Sequence, residues 1–393
     1  MKKIMFIGLT LLLLGSALFA DDAKVMPAMV GRFYLSPSYA FSNKAFDKDG
    51  DRVSSDTLKA LNLGAALEFG VIDWVTAAVQ WLPGANVWSD VDTQVPNPKY
   101  NPLLDPPSKA NSSSSVNANG VADLFIGAKI QILGTAAPIK TDRFRLSFGP
   151  GIKVPLPGPD YKKQDDNAAK GDDVTAANID THVLGAGLRT YFDYIINDNF
   201  FINLYNETIF YPMKQDMKKA GYIEYALVQA MEEINGAGAG VGAPQLTSGI
   251  YDYGKVNYGY DLTFELEPVF NYNIAEGVVF GAGLPINYYT TPGVKYDTSF
   301  NKAKADNATA TISGIDPTTG AVFGESVDEI AGMLDGMKAE QTHLLTVRPN
   351  VSLFFMGWAL PMEFKLSYFV PVWGKNESAT NTINFQIRAY FKI

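Results

Sequence analysis

From about residue 30 onward, oily and polar side chains alternate one by one in stretches of roughly ten residues. Between 61 and 70 the apolar series is Leu61, Leu63, Ala65, Leu67 and Phe69, and the positions between hold Asn62, Gly64, Ala66, Glu68 and Gly70. Between 144 and 156, Phe144, Leu146, Phe148, Ile152 and Val154 oppose Arg145, Ser147, Gly149, Gly151 and Lys153. Between 258 and 270, Tyr260, Leu262, Phe264, Leu266 and Phe270 oppose Asp261, Thr263, Glu265 and Glu267. Segments 345–355 and 362–372 repeat the pattern, with Arg348, Asn350, Ser352, Glu363, Lys365 and Ser367 on the polar side. In the closing stretch TINFQIRAYFKI, Ile383, Phe385, Ile387, Ala389, Phe391 and Ile393 alternate with Asn384, Gln386, Arg388, Tyr390 and Lys392. Side chains of a strand point alternately to its two faces, so a period of two predicts strands with one oily face and one polar, often charged, face.

Twelve such strands are predicted, near 31–41, 58–70, 74–83, 120–133, 143–156, 180–192, 199–211, 257–271, 277–289, 343–356, 361–373 and 380–393. Short turns at 71–73, 134–142, 193–198, 272–276 and 357–360 alternate with long connections at 42–57, 84–119, 157–179, 212–256 and 290–342; on the long side only 374–379 is short. Strand length, even number and unequal connections together predict an all-β membrane protein: a closed antiparallel transmembrane β-barrel of about twelve strands, twelve to fourteen at the outside. Its last strand is expected to close against its first, GRFYLSPSYAF, leaving no free edge. A soluble sandwich or lipocalin-like barrel would turn its oily faces inward and have no use for Arg, Lys and Glu on every opposite face. Trp74, Trp81, Tyr288, Tyr289, Trp358 and Trp373, at predicted strand ends, fit interfacial girdles.

Two stretches in the long connections change period. In 222–235, Ile223, Leu227, Ala230, Met231 and Ile234 fall at helical spacing, and in 326–338 Ser326 and Glu329 stand in capping-box register ahead of Ile330, Met333, Leu334 and Met337. Short helices in extracellular loops are expected there. Their apolar faces, Ile223, Leu227 and Met231 with Ile330, Met333, Leu334 and Met337, are the candidate contacts for a hydrophobic substrate; the same faces would equally serve to cap the barrel mouth.

The N-terminus, MKKIMFIGLTLLLLGSALFA, has Lys2 and Lys3, an apolar run over 4–14, and small residues Gly15, Ser16, Ala17 and Ala20, the layout of a secretory signal peptide. We read 1–20 as removed, with cleavage after Ala20 or Ala17, leaving 21–393 as one barrel domain. No later apolar run is long enough for a membrane helix. With 20 Tyr, 24 Phe and 35 Gly and a mean hydropathy of -0.01, the composition suits strands with unlike faces joined by turns. A net charge of -9 argues against nucleic-acid binding, and with no Cys there is no disulfide framework, thiolate metal site or cysteine nucleophile.

Sites of chemistry are sparse. The stretch AFDKDGDRVSSDTL has Asp47, Asp49 and Asp51, but an EF-hand loop counted from Asp47 would need Gly and Glu where Arg52 and Leu58 stand, so a solvated turn is expected. Only His182 and His343 are available as imidazole bases, and no Ser or acid is legible beside either, so no enzyme, metal or cofactor is expected. The inward positions mix cations and carboxylates: Arg145, Lys153, Arg348, Lys365 and Arg388 with Asp261, Glu265, Glu267 and Glu363 are the candidate lumen lining. Neither sign dominates, which does not favour a strongly ion-selective pore.

The stretch GVADLFIGAKIQIL, 120–133, followed by RLSFGPGIKVPLPGPD, 145–160, resembles outer-membrane channels of the phenol-degradation and long-chain fatty-acid transporter (FadL-like) superfamily. The resemblance covers a Gly-x-x-Asp-Leu opening, a Gly-x-Lys strand and a Gly-rich strand leading to Pro. It implies passive uptake of small hydrophobic solutes, such as fatty acids or aromatic compounds, some through apolar loop grooves and a lateral opening in the wall. A general diffusion porin and a structural or adhesive surface barrel remain alternatives. The chain departs from the family in having fewer strands and only residues 21–30 ahead of the first strand; any block of the lumen is therefore expected from loops. Expected partners are outer-membrane lipid, a small hydrophobic substrate and the barrel-assembly machinery, which would read the C-terminal strand despite Ile393 in place of a terminal aromatic.

Overall fold

The computed structural model describes residues 22–96, 111–116, 120–157, 180–216, 245–246, 255–297, 311–315, 322–326 and 341–393. Twelve strands form the wall: β1 Val30–Phe46, β2 Arg52–Ile72, β3 Val75–Pro96, β4 Leu124–Leu133, β5 Phe144–Val154, β6 Gly185–Ile195, β7 Phe200–Tyr211, β8 Gly259–Ala275, β9 in two pieces (Val278–Gly283 and Ile286–Thr291), β10 in two pieces (Thr342–Val347 and Asn350–Phe355), β11 Met362–Lys375 and β12 Asn381–Lys392. Each pairs antiparallel with the next, and β12 pairs back onto β1, with Phe391 opposite Gly31 and Asn381 opposite Phe41. The barrel is closed and has no free edge.

Its two faces are inverted relative to a water-soluble core. Leu366 is 49% exposed on the outside, while its neighbour Ser367, turned inward, is 7% exposed. Leu67, Leu188, Phe264 and Val351 are exposed outside in the same way, and Glu68, Asn203, Glu265 and Arg348 are buried inside. An oily exterior around a polar interior is stable only where the surrounding solvent is lipid, and closure satisfies the backbone groups that lipid cannot.

The structure redraws several boundaries. β1 and β2 run on to Phe46 and from Arg52, so the predicted long connection 42–57 shrinks to a tight turn in which the Asp47 carboxylate accepts the N–H groups of Asp49 and Asp51, both at 2.9 Å. β3 runs on to Pro96 and pairs with Asn111–Val116 inside the predicted connection 84–119. Once a strand leaves lipid both its faces meet water, so pairing continues after the oily alternation has stopped. The strand expected from 180 begins at Gly185. β9 breaks at Leu284–Pro285 and β10 at Arg348–Pro349, because proline removes a ladder donor. The neighbouring carbonyls still accept: Leu284 N–H bonds Pro268 (3.2 Å), Arg348 N–H bonds Pro285 (2.8 Å) and Tyr368 N–H bonds Pro349 (3.0 Å).

Tyr289 also departs from expectation. It is 4% exposed and turned inward, where its hydroxyl donates to Asp261 at 3.0 Å, instead of joining an outer girdle. The signal peptide and the predicted helix 222–235 lie outside the described residues. Of 326–338 only Ser326 is described, and it ends a short strand, Val322–Ser326, that pairs with Thr311–Ile315.

Candidate functional site: the lumen

Residues 22–28 precede β1 and turn into the barrel at the end bearing the short turns. Ala23 is fully buried: its N–H bonds the Asp193 carboxylate (3.2 Å), and its carbonyl accepts from Gln131 Nε2 (3.0 Å) and Ser147 Oγ (2.6 Å). Lys129 Nζ bonds the Asp22 carbonyl at 3.0 Å, Met26 N–H bonds Thr76 Oγ1 at 2.7 Å, and Ala28 N–H bonds Asp73 at 3.1 Å. Arg145, a predicted lining residue, holds Asp193 at 2.9 Å and Asp22 at 3.4 Å. The short N-terminal segment therefore enters the lumen and lies against the wall from β3 to β7, where the sequence placed any block in the long loops, most of whose residues lie outside the described ones.

Above this plug the wall closes on itself. The Arg32 guanidinium donates twice to Glu68, at 3.0 and 2.5 Å, and Tyr34 donates to the same carboxylate at 3.3 Å. Arg189 ion-pairs with Glu207, donates to Gln80 at 2.5 Å and lies 3.7 Å above the centre of the Phe125 ring. That ring lies flat on a floor of Gly127, Gly151 and Gly187. A methyl group at Gly187 would come within 2.7 Å of it, so the Gly-x-Lys and Gly-rich strands supply the space that an inward phenyl needs.

Toward the long-loop end, Lys153 ion-pairs with Asp180, stands 3.9 Å from Asp123, and donates to the Tyr211 hydroxyl at 3.2 Å. Asp261 receives the hydroxyls of Tyr211 and Tyr289. His182, in the connecting segment before β6, places Nδ1 3.1 Å from Asp123, while its buried Nε2 has no partner. Burial pulls its pKa down, but the bond to Asp123 more than offsets this and leaves it raised. This pairing across the chain was not legible in sequence. It lacks a hydroxyl nucleophile at Nε2, and no cluster of three or more metal-ligating side chains occurs among the described residues. His343, by contrast, bonds the Tyr288 hydroxyl at 2.7 Å.

On the opposite wall, Glu265 accepts from Asn287 at 2.9 Å and from Arg348 at 3.3 Å; Glu267 accepts from Asn350 at 3.1 Å. Glu363 accepts from Arg388 at 3.2 Å and from Tyr390 at 3.1 Å, and Arg388 Nε donates to Gln386 at 2.5 Å. Lys365 shares this face. The nine residues proposed as lining fall in separate groups along the inner face. The seven predicted substrate contacts, Ile223, Leu227, Met231, Ile330, Met333, Leu334 and Met337, lie outside the described residues. Glu377, in the turn between β11 and β12, was not singled out from sequence: burial holds its carboxyl well above the usual carboxylate range, and Oε2 has no partner.

A closed twelve-stranded wall, oily outside and charged inside, defines a transmembrane β-barrel of the outer-membrane type. No family model and no curated protein matches the sequence. The fold is nevertheless shared with a known structure. An outer membrane channel from Pseudomonas putida F1 superposes with a TM-score of 0.53 at 11% identity, over 95% of this chain and 100% of that one. The Pseudomonas putida toluene transporter TodX aligns at a TM-score of 0.34 and 10% identity, over 98% of this chain and 94% of that one. A Pseudomonas aeruginosa FadL homologue aligns at 0.33 and 9%, over 92% and 90%.

Proposed function

We propose that the chain is an outer-membrane channel for passive uptake of small hydrophobic solutes, which leave through the wall instead of along the axis. The observation that carries this reading is the plug: residues 22–28 occupy the short-turn end, the end that faces the periplasm in barrels of this kind. A general diffusion porin needs that path open. The wall, meanwhile, is irregular within β3. Between the pairs Leu63–Ala85 and Ala65–Trp81, residues 82–84 have no register partners on β2, and the same residues fall between Trp81–Leu124 and Ala85–Val121 on the other side. Pro83 lacks an N–H altogether. At rest this bulge is closed, with the Ala122 N–H bonding the Gly84 carbonyl at 2.7 Å, and a gap must open there for an oily solute to reach lipid by a route that a sugar cannot use.

Locking the gap tests this. Leu63 and Ala85 are register partners, and cross-strand neighbours lie within the Cα separation a disulfide spans. In cells producing the Leu63→Cys, Ala85→Cys variant, uptake of radiolabelled toluene is expected to fall at least five-fold when oxidised and to recover on reduction. Unchanged uptake in the oxidised barrel would overturn the lateral route. Sugar permeation that exceeds toluene uptake would favour the porin, and absence of both, a structural or adhesive barrel.

A further inference from the structure

Just ahead of β4 the chain leaves both of its ladders. Residues 120–121 pair with β3, and β4 starts at Leu124, opposite Trp81 on one side and Val154 on the other, so Ala122 and Asp123 have no register partner among the described residues. They are held in other ways. Toward β3, the Ala122 N–H bonds the Gly84 carbonyl at 2.7 Å, and the Ala122 carbonyl accepts the Trp81 indole N–H at 2.9 Å. Away from β3 the Asp123 carboxylate takes over: it accepts the Leu156 N–H at 3.1 Å, from the segment leaving β5, and the His182 N–H at 3.0 Å, from the segment before β6. His182 Nδ1 stands 3.1 Å from the same carboxylate and 3.0 Å from the Leu156 carbonyl; both are acceptors, so Nδ1 carries a proton. The Asp123 N–H in turn bonds the Asp180 carboxylate at 2.9 Å, and Asp180 ion-pairs with Lys153. One buried side chain thus joins three segments at the level where β3 has lost its ladder.

We infer that Asp123 is the latch of the lateral route, a positioning residue whose hold on Leu156 and His182 keeps the break between β3 and β4 shut and limits the width of the solute that passes. The inference rests on the lateral-uptake reading. Opening the break means drawing the Ala122 peptide away from Gly84 and Trp81, and Ala122 is fully buried, next in the chain to a residue tied to two further segments. Two isolated bonds, one of them to a side chain, are a weak stretch of wall beside a continuous ladder. The bonds to the Asp123 carboxylate, which are charge-assisted and lie in a buried network, therefore decide whether that stretch stays closed. His182 adds a bias toward release. Its φ of 52° lies in the left-handed region that side chains other than glycine rarely adopt, and such a conformation persists only where its surroundings hold it; here Asp123 holds both the N–H and the ring. Val183, next along, packs on Ile209 and Tyr211 of β7, so freedom gained on release falls on the β4 side of the segment.

The test follows, in cells producing the full chain, uptake of radiolabelled toluene and of the wider naphthalene, with arabinose entry as the control for the axial path. Each is measured with and without the oxidised Leu63→Cys, Ala85→Cys bridge. Asp123→Ala is expected to raise naphthalene uptake at least three-fold, and by more than it raises toluene uptake, with arabinose entry unchanged; the oxidised bridge should abolish the rise. His182→Gly keeps the left-handed backbone without strain and removes only the grip on the ring. It should give a smaller rise in the same direction, and it carries the test if Asp123→Ala does not migrate as a folded barrel in unheated gels. Wild-type naphthalene uptake in the folded variants would overturn the latch. So would a rise that survives the oxidised bridge or is matched by arabinose, since either marks a mouth that has merely loosened. The two readings fail separately: if the bridge lowers toluene uptake in the otherwise unchanged chain while both variants behave like it, the lateral route stands and the latch falls. A bridge without effect on that chain sinks the route, and the latch with it.

Discussion

The two sides of the lumen are built from the same alternating strands yet settle their charges differently. Along β4 to β7, Arg145 closes on Asp193, Arg189 on Glu207 and Lys153 on Asp180, and the plug's Ala23 adds a carbonyl and an N–H to that side of the lumen. Along β8 to β12 Arg348 holds Glu265 and Arg388 holds Glu363, and only side chains meet there. The difference comes from what enters the barrel. An incoming peptide segment brings backbone groups to one wall, and the other wall closes its charges with its own side chains.

Breaking the satisfied side should cost most. Asp193→Leu removes the partner of Arg145, Asn203 and the Ala23 N–H from a fully buried position, and roughly 3–5 kcal/mol should be lost, read as a lower denaturant midpoint in detergent. Next comes the outer face common to both sides. Leu366→Arg places a charge on lipid and should cost about 2–4 kcal/mol, measured by unfolding from bilayers. Normal assembly of that variant would remove the basis for the strand register.

A smaller effect, tied to pH, is expected at Glu377. Its folded pKa lies above the unfolded value, so the native barrel prefers the protonated form. Stability from this group is therefore complete below the unfolded pKa of about 4.3 and falls as pH rises through the folded value. Glu377→Gln should match the wild type near pH 4 and become more stable than it as pH is raised, a divergence visible in thermal melts. The smallest change belongs to the other side: Lys365→Met breaks no direct hydrogen bond but removes a positive charge beside Glu267 and Glu363, and should cost about 1 kcal/mol, read in the same denaturant midpoints.

The strands were legible because lipid and lumen are unlike solvents, and a period of two is the only pattern that serves both. Their outer ends were not, since Arg52, Val53 and Ser54 pair with β1 beyond the oily alternation. The plug left no mark in sequence because Ala23 binds through backbone groups that every residue carries. The glycines at 127, 151 and 187 stood out or lay within predicted strands, but their purpose, a floor for Phe125, needs three strands brought side by side. Asp123 and His182 meet only because the segment before β6 folds into the mouth. Lys365 alternates as polar-face in the sequence; that Glu363 beside it is held by Arg388 and Tyr390 is a matter of geometry.

The length of β2 carries the described wall well past the membrane. Its 21 residues span about 70 Å at roughly 3.3 Å each, and tilted as barrel strands are they rise about 50 Å, against an apolar band about 25 Å tall. The β1–β2 hairpin therefore stands above the headgroups braced on the β11–β12 turn, where the Asn376 N–H bonds the Asp47 carbonyl at 3.1 Å and Glu377 pairs with Phe46. A protease acting on that side would meet this rim as paired strand, which resists cutting, and not as a loose loop.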